Sequence, residues 1–167
     1  AWHVHLDPLA VGGPHDLVVK GKNEVKFTDV LVGEVWICSG QSNMQWSVNS
    51  STDADLERAA AKFPKLRMVN VPQVGTQEPQ CNFNGKWQVC SPETVGGFSA
   101  AAFYFARKLQ EELNIPIGIV DTSRGGTPIE PFIPRAAFKA HPTLLRELEL
   151  GDQENLLGIW KLPGGVR

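Results

Sequence analysis

The sequence has little cysteine, no long apolar run and no excess of either charge. Its three cysteines, Cys38, Cys81 and Cys90, are too few and too irregularly spaced for a disulfide framework. Cys81 and Cys90 are close enough to pair across a short loop in an oxidising compartment, and two free thiols fit equally well. No histidine stands near that pair, so the spacing makes a poor zinc site, and no metal is expected. No stretch approaches the roughly 18 apolar residues that span a bilayer. Residues 1–10 hold two histidines and an aspartate where a leader would be basic and then apolar, so they are not a signal peptide; a processed, secreted chain stays compatible. Lys and Arg number 16 against 18 Asp and Glu, a net charge of −2. That balance speaks against a non-specific nucleic-acid binder and against a polybasic membrane anchor. There is no phosphate loop with a following Lys-Ser/Thr and no three-glycine dinucleotide fingerprint, so no organic cofactor is expected.

What is present is a foldable chain. Of 167 residues, 42% are apolar, with five Trp and eight Phe, which excludes disorder of the whole and suits one domain with an extra segment. Sixteen glycines and twelve prolines imply many turns. Apolar segments at 17–19 and 25–27 flank Gly21-Lys22-Asn23 and predict a hairpin that needs a partner sheet. Glu34-Val35-Trp36-Ile37-Cys38 predicts a buried strand running into a turn at Ser39-Gly40. Thr52-Asp53-Ala54-Asp55 resembles a capping box before a helix to about Lys62. Residues 66–71 predict a second strand, and 72–97, rich in Pro, Gly, Gln and Asn, a long ordered loop.

The clearest helix spans 98–113. Phe98, Ala102, Phe105, Leu109 and Leu113 form its apolar face, and Arg107–Glu111 and Lys108–Glu112 are opposite charges four apart. Asn114 and Pro116 end it. A third strand follows at 117–121, and a weaker helical pattern at 134–150. Alternating strands and helices predict a parallel α/β sheet, whose ligands bind at the carboxyl ends of its strands. Two strands end in turns dense in small and polar residues, Ser39-Gly40-Gln41-Ser42-Asn43 and Ser123-Arg124-Gly125-Gly126-Thr127. A serine raised on the first turn, beside backbone N–H donors of a following helix, is placed for nucleophilic attack; the competing role of Ser42 or Asn43 is a simple helix cap. Gly125-Gly126 lets the backbone approach a ligand closely, as a second donor or as an ordinary turn. This is not a Gly-x-Ser-x-Gly elbow, because Met44 replaces the second glycine.

The block Gly33-Glu34-Val35-Trp36-Ile37-Cys38-Ser39-Gly40-Gln41-Ser42-Asn43-Met44 closely resembles the nucleophile block of the sialate O-acetylesterases, carbohydrate acetylesterases of the SGNH hydrolase superfamily. Ile117-Gly118-Ile119-Val120-Asp121-Thr122-Ser123-Arg124-Gly125-Gly126-Thr127-Pro128-Ile129-Glu130 resembles their second block, and Trp87, Gly96-Gly97-Phe98-Ser99 and Phe105 fit the segment between; the likeness covers about 6–135. It implies a partial three-layer, flavodoxin-like parallel sheet in 31–167, preceded in 1–30 by the end of a β-sandwich domain. It implies a serine esterase that removes O-acetyl groups from carbohydrates through an acetyl-serine, with Ser42 as nucleophile. The N–H groups of Ser42 and of Gly125 or Gly126 would form the oxyanion hole, while Gln41 and Asn43 would shape the turn. Arg124, where many members carry Trp, and Thr127 would shape the sugar pocket. It also implies a secreted, periplasmic or lysosomal setting.

The family's third block, similar to Trp-Tyr-Gln-Gly-Glu-Ser-Asn, and its catalytic Asp and His do not occur in the 167 residues. The base that Ser42 needs is therefore expected in a carboxyl-terminal part of the same protein; His3, His5 and His15 lie in the β-rich start, and His141 is a weak candidate. Asp121 could orient a partner or cap its turn. The alternative is an inactive fragment that binds sugar through Trp36, Trp46, Trp87 and Phe132, aromatics that equally suit a core. A sheet lacking later strands should expose an unpaired edge, making the isolated chain marginal or aggregation-prone. A flavodoxin-like cofactor binder shares the alternation but not the loop.

Overall fold

In the computed structural model, residues 4–74 and 80–141 are described. Strands β1 (Gly12–Lys20) and β2 (Glu24–Val32) form the predicted antiparallel hairpin, with Lys20 opposite Glu24 and Val19 opposite Val25. A two-stranded ribbon has no third layer to cover its apolar side chains, and Leu17, Val25 and Phe27 stay exposed. One polar clasp ties it to the next sheet. Asp29, at φ 59°, accepts two hydrogen bonds from the Arg67 guanidinium, at 2.9 and 3.1 Å. That bidentate contact holds the Asp29 carboxyl below the usual range.

The second sheet contains β3 (Glu34–Cys38), β4 (Phe63–Asn70), β5 (Gln88–Cys90) and β6 (Ile117–Asp121), in the order β3-β6-β4-β5. The first three are parallel; β5 runs antiparallel to β4. The sheet is thus mixed. The stretch expected as one long loop holds β5 and a 3₁₀ turn, Val95–Gly97. Three residues are too short to display a period, so composition alone set that expectation.

Helix α3 (Ala100–Leu113) is the crossover between β4 and β6. Ser99 caps it by accepting the Ala102 N–H at 3.2 Å, and Asn114 closes it in the left-handed region at φ 53°. Phe98 precedes the helix. The buried stripe is Ala102, Phe103 and Ala106, rotated from the expected face. Small alanines let the helix approach Leu66, Met68, Ile117 and Ile119 in one core cluster. Phe105 lies at the rim instead, its ring edge-to-face with Trp36 at 5.1 Å. The Lys108–Glu112 pair forms at 2.6 Å, whereas Arg107 leaves Glu111 for Glu57, 2.7 Å away on α2 (Ala54–Ala60). The capping box does not form: Asp53 sits at φ 56° and its side chain caps nothing. Of the helix expected at 134–150, α4 (Arg135–Ala140) is seen, and 142–150 lies outside the described residues.

Strand β3 is not buried as expected. Val35 is 62% and Ile37 74% exposed. Among the described residues β3 is the sheet's edge. Only its Trp36 side meets α3, while the opposite face carries Trp87 against Gly118, where an added Cβ would lie 3.3 Å from the indole. This open apolar edge is the unpaired strand edge expected of a sheet lacking later strands.

The cysteines are free: Cys81 is exposed, Cys38 half-buried and Cys90 buried. Burial pushes the Cys90 thiol up to about 12, and it raises Cys38 as well, with Asp121 adding to the shift. The thiolate is the reactive form. In the folded chain Cys81 should therefore react first with a thiol reagent, Cys38 slowly, and Cys90 only on unfolding. Equal rates at Cys81 and Cys90 would contradict this packing.

Candidate active site

The parallel register aligns Cys38, Asp121 and Asn70 in one row, so three strands end at the same level. The two polar turns leave this row side by side. Thr122 N–H donates to Cys38 O at 2.9 Å, and Arg124 N–H donates to Gly40 O at 2.8 Å. Those bonds extend the β3–β6 pairing past the strands and zip the turns together. Gly40 sits at φ 146°, and a Cβ there would come within 2.7 Å of Met44 Cγ, so the tight turn requires glycine.

Ser42 opens α1 (Ser42–Gln45), a single helical turn. The N-cap is Gln41, with no side-chain capping bond, so the cap role considered for Ser42 and Asn43 is not used. Gln41, Ser42 and Asn43 are all exposed, and the Ser42 hydroxyl has no hydrogen-bond partner among the described residues. Gln41 O accepts from Gln45 N–H and Ser42 O from Trp46 N–H, both at 2.9 Å. Trp46 O in turn accepts from Ala100 N–H at 2.8 Å, which seats α1 against the start of α3.

Gly125 lies directly against the serine. A Cβ on it would be 3.6 Å from Ser42 Cα and would run into Gln45 Oε1. Its N–H donates to that same Gln45 Oε1 at 2.6 Å. Gly126, at φ 70°, is exposed, with open space where a Cβ would be. Arg124 and Thr127 are half-buried at the flanks of the turn. Asp121 is 9% exposed and closes the turn by accepting Ser123 N–H at 2.9 Å, the capping role rather than an orienting one.

Two residues that sequence reasoning missed brace this arrangement. Gln73 Nε2 donates to Ser123 O at 3.1 Å from the segment after β4. Gln45 holds Gly125 across 80 residues of sequence. Both contacts are long-range, and neither residue type carries a local signal. With Asn70, Asp121 and Ser123 they line a small recess at the carboxyl ends of β4 and β6, of which Ser42 is not a wall. His141 is exposed after α4, and no described residue is hydrogen-bonded to Ser42 as a base. Among the proposed stacking aromatics, Trp36 packs on Phe105 and Trp87 on Gly118, Phe132 is half-buried, and Trp46 is 57% exposed with its Nε1 fixed to Ser50 O at 2.7 Å. Among the described residues no His/Cys/Asp/Glu group has metal-site geometry, and no helix is long and apolar enough to cross a membrane.

The family model described as carbohydrate esterase, sialic acid-specific acetylesterase, matches residues 32–159. The chain is 36% identical to a sialate O-acetylesterase of Rattus norvegicus over 83% of its own length and 28% of that protein's. It is 35% identical to the sialate O-acetylesterase of Homo sapiens, covering 29% of it. It is also similar to a crystal structure of a carbohydrate acetylesterase from Xanthomonas citri, with TM-score 0.80 and 36% identity over 86% of this chain and 33% of that one. The chain therefore spans under a third of the length of these curated relatives. Its matched region, with the serine turn and the double-glycine turn in place, makes the chain a member of the sialic acid-specific acetylesterase family of carbohydrate esterases.

Proposed function

We propose that this chain is the amino-terminal part of a carbohydrate O-acetylesterase in which Ser42 is the nucleophile. The observation that carries the proposal is the seam between the turns: Arg124 N–H on Gly40 O at 2.8 Å, with Gly125 packed against Ser42 Cα. It supports the reading because Ser42, whose hydroxyl has no partner among the described residues, stands against the double-glycine turn at the carboxyl ends of parallel strands.

Ser42 Oγ attacks the acetyl carbonyl of a sugar ester as a base takes its proton. The tetrahedral oxyanion rests on Ser42 N–H and an N–H of the Gly125-Gly126 turn. Collapse releases the sugar hydroxyl and leaves acetyl-Ser42; water then attacks, and acetate leaves. Gln41 and Asn43 shape the serine turn, while Arg124 and Thr127 border the pocket. The base comes from a carboxyl-terminal continuation, since the family's Asp-x-x-His element is not in these residues. Residues 1–30 close a preceding β-domain, in keeping with a hairpin whose apolar side chains lack a partner layer. We place the protein outside the cytoplasm, as a secreted, periplasmic or lysosomal enzyme. The substrate is an O-acetylated carbohydrate, and the reaction needs no nucleic acid, membrane or metal partner.

The test is acetate release from O-acetylated sialic acid and acetylated xylan by the full-length protein. Turnover of at least one is expected. If neither is hydrolysed and both still bind, the sugar-binding fragment, with Trp46 as its open platform, replaces this reading.

A further inference from the structure

We infer that Gln45 is a positioning residue that reserves the Gly125 N–H, so that Gly126 rather than Gly125 donates to the oxyanion; this rests on the esterase reading above. An N–H group has one hydrogen to give. That of Gly125 is given to Gln45 Oε1 at 2.6 Å, a short bond with a neutral acceptor. If Gly125 served the oxyanion, Gln45 Oε1 would have to give up or share this bond in every turnover. The Gly126 N–H has no acceptor among the described residues, and Gly126 is exposed at φ 70° with open space where a Cβ would be.

The latch begins on the nucleophile's own element. Gln45 stands three residues after Ser42 on α1, one turn along, so its carboxamide reaches across to the second turn while Ser42 stays free. The backbone end of the same residue is fixed by Gln45 N–H on Gln41 O. Gly125 is clamped between Gln45 Oε1 and Ser42 Cα, which leaves no room for a side chain. Gln45 thereby fixes the separation between the serine and the donor turn. The nearby Gln73 bond to Ser123 O braces the turn's other end but touches neither glycine's N–H. A displacement of about 1 Å between reacting groups can cost about 10²-fold in rate.

The experiment has two parts on the full-length protein. The first follows glycine amide protons by NMR in the free enzyme and after phosphonylation of Ser42, whose P–O oxygen stands in for the oxyanion. The Gly125 amide should be protected from exchange in the free enzyme and should not move on phosphonylation, while the Gly126 amide shifts downfield. A downfield shift at Gly125 with Gly126 unmoved overturns the assignment. The second compares Gln45→Met, which keeps length and loses the acceptor, with Gln45→Glu, which keeps the acceptor. Gln45→Met should lose Gly125 protection and about 10²-fold in kcat with KM little changed, and Gln45→Glu should recover most of both. Equal kcat in Gln45→Met and wild type, or no recovery in Gln45→Glu, overturns the positioning role. Failure of Ser42 to be phosphonylated instead sinks the esterase reading, and Gly125 protection in the free enzyme still reports on the latch.

Discussion

Replacing Ser42 with alanine should lower acetate release by the full-length protein by about 10⁴-fold or more, the scale seen when a serine nucleophile is removed. The hydroxyl forms the bond that divides the reaction into two steps, and no neighbouring group can take over that role from the backbone donors alone. The residual rate would come from the oxyanion hole and binding. The same change should barely touch stability. Ser42 is exposed and its hydroxyl makes no hydrogen bond among the described residues, so the effect on folding should stay within about 0.5 kcal/mol. The two readouts together are what distinguish a nucleophile from a structural serine. A Ser42→Ala protein that melts normally and still turns over within tenfold of wild type would remove Ser42 from the mechanism.

The largest stability effect should come from Phe103. Its side chain is fully buried in the centre of α3, facing Phe63 at 6.1 Å and Tyr104 at 5.2 Å between ring centroids. The Arg107 guanidinium lies 5.3 Å from the ring and is held there by Glu57. Phe103→Ala removes the ring from the layer between helix and sheet and leaves a cavity that the alanine-lined helix cannot refill. The cost should be about 3–5 kcal/mol. For a chain of this size that is a drop of roughly 10 °C in Tm. Arg107 would also lose the face it covers, loosening α2 from α3. A chain only marginally stable to start with would fail to fold, so Phe103→Leu, expected to lose less than half as much, is the companion variant. A Tm unchanged by either substitution would contradict the core placement described here.

Much of this architecture was legible because local chemistry and tertiary position agree. The hairpin around Gly21-Lys22-Asn23, the strand at 117–121 and the helix closed by Asn114 each carry their own turn or cap signals, and each is found. The serine and double-glycine turns were readable as the sites of interest because both follow apolar strands. What was not legible depends on neighbours distant in sequence. Glu34 to Cys38 reads as buried by composition, yet its burial is set by what stands beside it, and here it is an edge. Arg107 has a good local partner in Glu111, but with its guanidinium over the Phe103 and Tyr104 rings it pairs with Glu57 on α2 instead. The helix face rotated because Ala102 and Ala106, four apart on one side, allow close approach beside Phe103, on a side that bulk hydrophobicity would not choose. Gln45 was passed over since a glutamine in a helical turn carries no signal until the fold brings Gly125 to it.

The most direct test of the central claim is intact mass of the full-length protein after treatment with a fluorophosphonate, which labels activated serines, followed by peptide mapping. One adduct is expected, on Ser42, absent from Ser42→Ala. No adduct, or an adduct on another serine that survives Ser42→Ala, would contradict it.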